Sequence, residues 1–504
     1  MMKRFLGPLD ADEDKEFHNH LVLQEQVSEL VTLESQIIYG AKGMGKTALR
    51  RALTELEKDA FFATGTFDID KLSFQRLHAD LDRLQETTGD EMMTLARAMW
   101  QNVIAISFLE VMCKRAPKES AFCQAVNAVL KEEQFTGRDT RNRILNQIQR
   151  FVERLGRIGM EEDTSKHYSP LEIRRMAVDR FPPTQELERL LLEARNLVKP
   201  TGKVVAICID GFDTIVEHLP ESRKIVFAGL IDAIYRLSKD PLFSDVLCVK
   251  AFLPKELTHE ARSVTWDADK FLYNTIHLHW EEGNLKEFIR KRLITHSRGP
   301  KRADFDTVWH EFMPTTVRND VHEINESSFA YILRHTQFRP RQLLYQVQMI
   351  LNGWDSKSSA PFRVDSSFVP SRVAASNRTL AEHALEQLEY ARTGVATFVR
   401  SFSGSTNTIT YGDCFSKISR MFGAEPVENR AIFDELFDFG VIGVARRESV
   451  NRGATACKVR FVYAGEGVMK IHPNDDDIVA LSPMFHDFCG CTQSHYGAVI
   501  PSTV

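Results

Sequence analysis

Hydrophobic and polar positions change period several times along the chain, and the changes mark its elements. Gln36–Tyr39 is a compact apolar strand, followed by a glycine-rich turn and a helix from about Lys46 to Asp59. Phe61–Asp68, rich in Phe and Thr, reads as the next strand. From about Ser73 to Val198 apolar residues recur at helical spacing, as in Leu95, Met99, Val103 and Ile106 and again in Ile144, Ile148, Phe151 and Leu155. Strand runs then resume at Val204–Ile209, Val246–Phe252 and Thr275–His279, with a helix around Ser222–Ser238. Strand, loop, helix and strand in that order imply a parallel α/β sheet carrying a helical insertion.

Beyond Trp280 the pattern is helical to about Gly353, and Ser356–Ser371 is a Ser/Pro-rich linker. In the last stretch Tyr411–Phe422 and Val427–Phe439 read as two helices, and Val441–Val444 and Val459–Tyr463 as strands of a wing. The expected organisation is a lead-in (1–34, with a short helix at Leu21–Leu33), a core (35–280, insertion about 73–198), a helical lid (281–355), a linker (356–372) and a winged-helix-like domain (373–504).

Composition narrows the class without deciding the activity. A chain of 504 residues, 43% hydrophobic and 26% charged, is an ordinary globular protein of more than one domain. Apolar runs such as Val204–Ile209 fall far short of a membrane span, and Met1–Pro8 leads into the acidic Asp10–Glu16 rather than an apolar signal segment. A cytoplasmic protein with no membrane partner is expected. The eight cysteines suggest no disulfide framework: Cys208 and Cys248 lie in strand runs, where a thiol behaves as a small hydrophobe. Cys489 and Cys491 form a lone C-x-C near His472, His486 and His495, and a structural role is favoured there over zinc. A net charge of −5 argues against a protein-wide surface for polyanions.

The chemistry concentrates in Gly40–Thr47, which reads GAKGMGKT and matches G-x-x-x-x-G-K-[ST] between a strand and a helix. The glycines let backbone N–H groups face phosphates, Lys46 brings positive charge to the β- and γ-phosphates, and the Thr47 hydroxyl can ligate Mg²⁺. The helix N-terminus adds its own partial charge. ATP and Mg²⁺ are therefore the expected cofactors, bound by Gly40, Lys42, Gly43, Met44, Gly45, Lys46, Thr47 and Ala48. Such a loop needs an acidic residue on a neighbouring strand, and Asp210, at the end of Val204–Ile209, fits as the second metal ligand. Asp213 follows three residues on, able either to position the attacking water or simply to cap a helix. Phe338–Arg341 reads FRPR at a helix start, and Arg339 or Arg341 could compensate γ-phosphate charge. Lys255, at the end of Val246–Phe252, could sense that phosphate or be a solvated loop lysine. Arg262, Arg290 and Arg292 are candidates to act on a neighbouring subunit. The arginine-rich Arg138–Arg157 reads first as a solvated face.

The GAKGMGKT loop, the ICIDGFD strand, the LPKEL strand end and the FRPRQLL helix start resemble the AAA+/STAND group of P-loop ATPases, in particular prokaryotic ATPases similar to origin-recognition initiators. The resemblance covers about residues 10–355, and more weakly the rest as a winged helix. It implies an ATPase with Gly40–Thr47 as Walker A, Asp210 as the Walker B aspartate and Arg341 as the sensor-2 arginine. It also implies a homo-oligomer that switches or drives a protein partner or effector chain, with prokaryotic antiviral defence as one setting. One departure stands out: such ATPases place a glutamate directly after the Walker B aspartate, and here that residue is Gly211. Asp213 resembles the later acid of the STAND type, and slow turnover follows. Two other readings stay open. One is a DNA-binding initiator-like or loader-like ATPase using the basic wing of Arg446, Arg447, Arg452, Lys458 and Arg460. The other is a nucleotide-dependent scaffold with little hydrolysis. Against the first, the Val427–Phe439 helix carries Glu428, Asp434, Glu435 and Asp438 with only Arg430.

Overall fold

The computed structural model describes residues 6–22, 30–55, 58–68, 89–115, 117, 120–132, 185–212, 223–255, 274–297, 300, 302–319, 324–354, 363–423, 426–445, 459–463, 473–475 and 477–492. They belong to two compact units, one of Leu23–Lys42 with Lys46–Leu278, the other of Met1–Val22, Gly43–Gly45 and His279–Val504.

Five strands build the first unit: β1 (Gln36–Gly40), β2 (Ala63–Asp68), β3 (Val205–Asp210), β4 (Leu247–Pro254) and β5 (Thr275–His277). All pair in parallel, in the order β2-β3-β4-β1-β5. Because β1, β3 and β4 are buried along their whole length, they read in sequence as nearly unbroken apolar runs. The helices Gly89–Arg115, Gln185–Val198 and Arg223–Lys239 bury Trp100, Phe108, Leu190, Leu191 and Phe227 in the same core as Val205, Ile207 and Val249 of the sheet. This is the parallel α/β sheet that the order of elements implies, and it is consistent with the P-loop NTPase fold expected from the Gly40–Thr47 motif.

The strand order corrects one expectation. Asp210 is not on a strand adjoining β1, since β4 lies between β3 and β1. The chain leaves β1 through the Lys46–Glu55 helix, runs to the far edge at β2, and returns through β3 and β4. Such a reversal of strand order leaves a crevice beyond the carboxyl ends of the strands, where α/β sheets bind ligands.

One polar residue interrupts β4. Lys250 is completely buried, and its ammonium donates to Thr32 O at 3.0 Å, Glu34 O at 2.7 Å, Gln36 Oε1 at 2.5 Å and Thr32 Oγ1 at 3.2 Å. Burial pulls its pKa down to about 8. The same burial pushes the flanking thiols up, Cys208 to about 12 and Cys248 to about 11, as expected of cysteines acting as small hydrophobes.

In the second unit the helices Glu282–Leu293, Phe305–Phe312, Ser328–Leu333 and Pro340–Gly353 share a core centred on Trp309, Phe329 and Leu343. A hairpin of β6 (Thr316–Asn319) and β7 (Ile324–Ser327) interrupts them, where the pattern indicates helix throughout. Each of its strands has four residues, too few to establish an alternation. A long helix, Phe368–Ala391, begins inside the stretch expected as linker, with Pro370 tolerated in its first turn.

The C-terminal helices Tyr411–Phe422 and Pro426–Asp438 fall where expected, beside an antiparallel sheet of β8 (Thr408–Thr410), β9 (Ile442–Ala445) and β10 (Ile478–Leu481), ordered β8-β10-β9. Val459–Tyr463, expected as a wing strand, is described without its flanking residues and packs Val459 and Phe461 against Ala445 and Ile478. Among the described residues its pairing is the bridge of Arg460 to Val444, on the edge of β9 opposite β10. Most of the Leu21–Leu33 helix and all of Arg138–Arg157 lie outside the described residues. Among the described residues no helix is long and apolar enough to cross a membrane.

Candidate nucleotide site

β1 ends at Gly40 and the next helix opens at Lys46, so the intervening turn lies at the carboxyl end of the parallel sheet. Its glycines answer to conformation and space. Gly43 and Gly45 have φ of +89° and +94°, a region that residues with a Cβ rarely adopt. A Cβ at Gly40 would come within 3.0 Å of the Leu278 side chain. Lys46 is buried and donates to Gly40 O at 2.7 Å, curling its ammonium over the strand end. Thr47, in the first turn of the helix, donates its hydroxyl to Asp210 Oδ2 at 3.1 Å. Asp210 is itself buried, and its Oδ1 accepts from the Gly211 N–H at 2.9 Å. The structure thus brings Lys46, Thr47 and Asp210 to one place despite the strand between β1 and β3.

Arg50 joins them, unforeseen from sequence. Its Nε lies 3.3 Å from Asp210 Oδ2, with both side chains buried. Arg50 sits three residues after Thr47 on the same helix, so the two share a face and reach the same carboxylate. That spacing is the signal that could have identified it. Gly211 has φ +94°, so the position after Asp210 is shaped for glycine, and a glutamate there would be strained.

The tip of the turn, Gly43–Gly45, groups with the second unit. There the Arg341 N–H donates to Gly43 O at 3.3 Å, and a Cβ at Gly43 would come within 3.2 Å of Arg341 Cβ. Trp280 donates its indole N–H to Met44 O at 2.9 Å and packs edge-on against Phe288. No periodic pattern singled out Trp280. Arg339, just before Pro340, is the buried N-cap of the Pro340–Gly353 helix, and its charge acts on the Tyr463 hydroxyl. Immediately upstream, Gln337 and Phe338 have φ of +46° and +54°. Left-handed backbone costs a residue with a Cβ about 1–2 kcal/mol, so two in succession need strong support from their surroundings.

Lys42, Met44 and Ala48 are half-buried within the turn and the first helical turn. Lys255 follows β4 directly and is half-buried. Asp213, Arg262, Arg446, Arg447, Arg452 and Lys458 lie outside the described residues, whereas Arg460 is described and exposed. Two arginines proposed to act on a neighbouring subunit are engaged within the chain. Arg292 is buried, with Nη2 3.2 Å from Asp14 Oδ2 and Nη1 donating to Leu6 O at 3.0 Å. Arg290 is forked onto Glu287 and reaches Ala303 O. In the Pro426–Asp438 helix, Arg430 pairs with Asp434, and Arg392 from the Phe368–Ala391 helix pairs with Glu435.

The Cys489 and Cys491 thiols donate to Val399 O and Phe402 O, and His486 to Leu481 O. No group of three or more His, Cys, Asp or Glu that could hold a metal occurs among the described residues. The hard oxygens of Thr47 and Asp210, one hydroxyl and one carboxylate beside an anion-binding turn, nevertheless suit Mg²⁺ shared with phosphate oxygens, because that ion takes few protein ligands.

No protein-family model matches the chain, and no curated protein is significantly similar to it. Among solved structures, that of the ORC2 protein of Aeropyrum pernix in ADPNP–ADP complexes is similar over 94% of each chain, with a TM-score of 0.40 and 8% identity.

Proposed function

We propose that the chain binds ATP with Mg²⁺ at Gly40–Thr47 and hydrolyses it slowly, using the nucleotide state to switch its assembly and its hold on a protein partner. The observation that carries this reading is the Thr47 hydroxyl on Asp210 at 3.1 Å, beside a turn whose glycines adopt left-handed backbone at the carboxyl end of a parallel sheet. Lys46 and the turn's N–H groups would hold the phosphates, and Thr47 and Asp210 would hold the metal, directly or through water. When bound, the metal supplies charge neutralisation at the phosphates. Arg341, tied by its backbone to Gly43, would present its guanidinium to the γ-phosphate. Lys46→Ala should abolish binding of a fluorescent ATP analogue, and normal affinity in that variant would refute the assignment.

Gly211 supports a scaffold-like reading of the same site, with turnover so slow that loading itself is the signal. Its left-handed backbone leaves the position after Asp210 unsuited to a glutamate base. Single-turnover measurement separates the two: a slow switch releases phosphate at a rate that Lys46→Ala eliminates, and a scaffold releases none. Sizing the protein with and without a slowly hydrolysed ATP analogue tests the assembly step, with growth expected only when loaded. DNA binding is disfavoured for the Pro426–Asp438 helix because its one arginine, Arg430, is already paired with Asp434 and is outnumbered by the acids Glu428, Asp434, Glu435 and Asp438.

A further inference from the structure

Within the second unit a continuous set of contacts runs from the turn tip to the C-terminal sheet. At one end the Arg341 N–H is bonded to Gly43 O at 3.3 Å. At the other, the Gln337 side-chain amide donates to Gly440 O at 2.8 Å, in the turn between the Pro426–Asp438 helix and β9. Gly440 is fitted to that contact, because a Cβ there would lie 3.3 Å from Gln337 Nε2 and 2.9 Å from the Tyr463 ring. The Phe338 ring meets Tyr463 at 5.8 Å between centroids, and the Tyr463 hydroxyl lies 3.1 Å from Ser482 Oγ. His335 Nδ1 lies 3.2 Å from Pro483 O. Between the two ends stand only the left-handed Gln337 and Phe338, then Arg339 and Pro340. A strained turn held from one side and feeding a helix start on the other has little freedom to absorb a displacement.

We infer that Gln337 is a positioning residue for the nucleotide site, holding the Arg341 end of the turn against Gly43 from its anchor on Gly440, so that the C-terminal domain's state is felt at the phosphates. The inference rests on the reading of Gly40–Thr47 as a phosphate site. Gln337→Asn tests it. Asparagine tolerates the left-handed backbone, so the turn is preserved, but its shorter amide falls short of Gly440 O. The variant should still unfold cooperatively in urea, with a midpoint lowered only as far as the loss of one buried hydrogen bond requires, and bind the ATP analogue about 5-fold or more weakly, the size of an ordinary coupling between sites. Arg341→Ala should weaken binding as well, and Gln337→Asn in the Arg341→Ala background should add nothing, because the first acts through the second. A purely structural role would instead give independent, multiplying effects. Should Gln337→Asn stall at folding, Gln337→Gly removes the amide while relieving the backbone, with the same expectation. Wild-type affinity in a folded Gln337 variant, or multiplying effects, overturns the inference while Lys46→Ala still abolishes binding. Full binding by Lys46→Ala overturns the phosphate-site reading and this inference with it.

Discussion

Arg50 and Asp210 hold opposite charges 3.3 Å apart with both side chains buried, an arrangement in which each group depends on the other. Removing one partner leaves the other's charge without compensation, so Arg50→Met should cost about 3 kcal/mol of unfolding free energy. Arg50→Met with Asp210→Asn should recover most of that loss in urea denaturation, because no unpaired charge then remains. A second buried cluster, Asp14 with His20 and Arg292, ties the N-terminal segment to the Glu282–Leu293 helix. Burial alone would raise the Asp14 pKa, but the His20 hydrogen bond and the Arg292 charge outweigh it and hold the carboxyl below its usual value. A depressed carboxylate stabilises the fold above its unfolded pKa and loses that contribution as pH falls through the folded value. Asp14→Asn should therefore lower the unfolding midpoint at pH 7, by a difference that narrows below about pH 4. This second cluster is not legible in sequence, since Asp14 reads as part of an acidic lead-in and Arg292 as a candidate to act on a neighbouring subunit.

At the scale of elements, the sheet was largely readable because full burial writes itself into a strand as an apolar run, and three of the five strands are buried throughout. The same reasoning hid Lys250, which looks like a flaw in β4 until its ammonium is seen capping the chain that enters β1. Its folded pKa, about 8, lies below the 10.5 of an unfolded lysine. Between those values the unfolded chain binds more protons, so stability should rise with pH from about 8 to about 10.5. Lys250→Met should lack this rise, and its carbonyl partners, left unsatisfied, should lower stability at pH 7 by about 1–3 kcal/mol. Unfolding midpoints of the two proteins across that pH range check both. The hairpin β6–β7 and the strand β10 escaped the pattern for another reason: strands of four residues carry too little periodicity, and their pairing is decided by what they meet.

For the molecule as a whole, the buried histidines predict acid sensitivity. His335 and His486 are enclosed, and burial holds both neutral, His486 with a pKa of about 4 and His335 well below the ordinary histidine value. On unfolding both would titrate near 6.5, so stability should fall as pH drops from about 6.5 towards 4, by about 3 kcal/mol for His486 alone. Denaturant midpoints at pH 7.5 and pH 5 test this, and His486→Gln should flatten the difference. Since His335 contacts Pro483 and His486 contacts Leu481, acid should act first where the Gln337 turn meets the C-terminal sheet.

What sequence alone determined is local: a glycine-rich turn between a strand and a helix, the apolar strands, and the two C-terminal helices. Each follows from backbone conformation or from burial of consecutive residues, and both are written in adjacent letters. Tertiary structure decided the rest. It alone set β4 between β1 and β3, brought Arg50 to Asp210, buried Lys250 and Arg292 with their partners, and linked Gln337 to Gly440. Those contacts join residues far apart in the chain, and their energies depend on which polar groups lose water together, a property no single segment possesses.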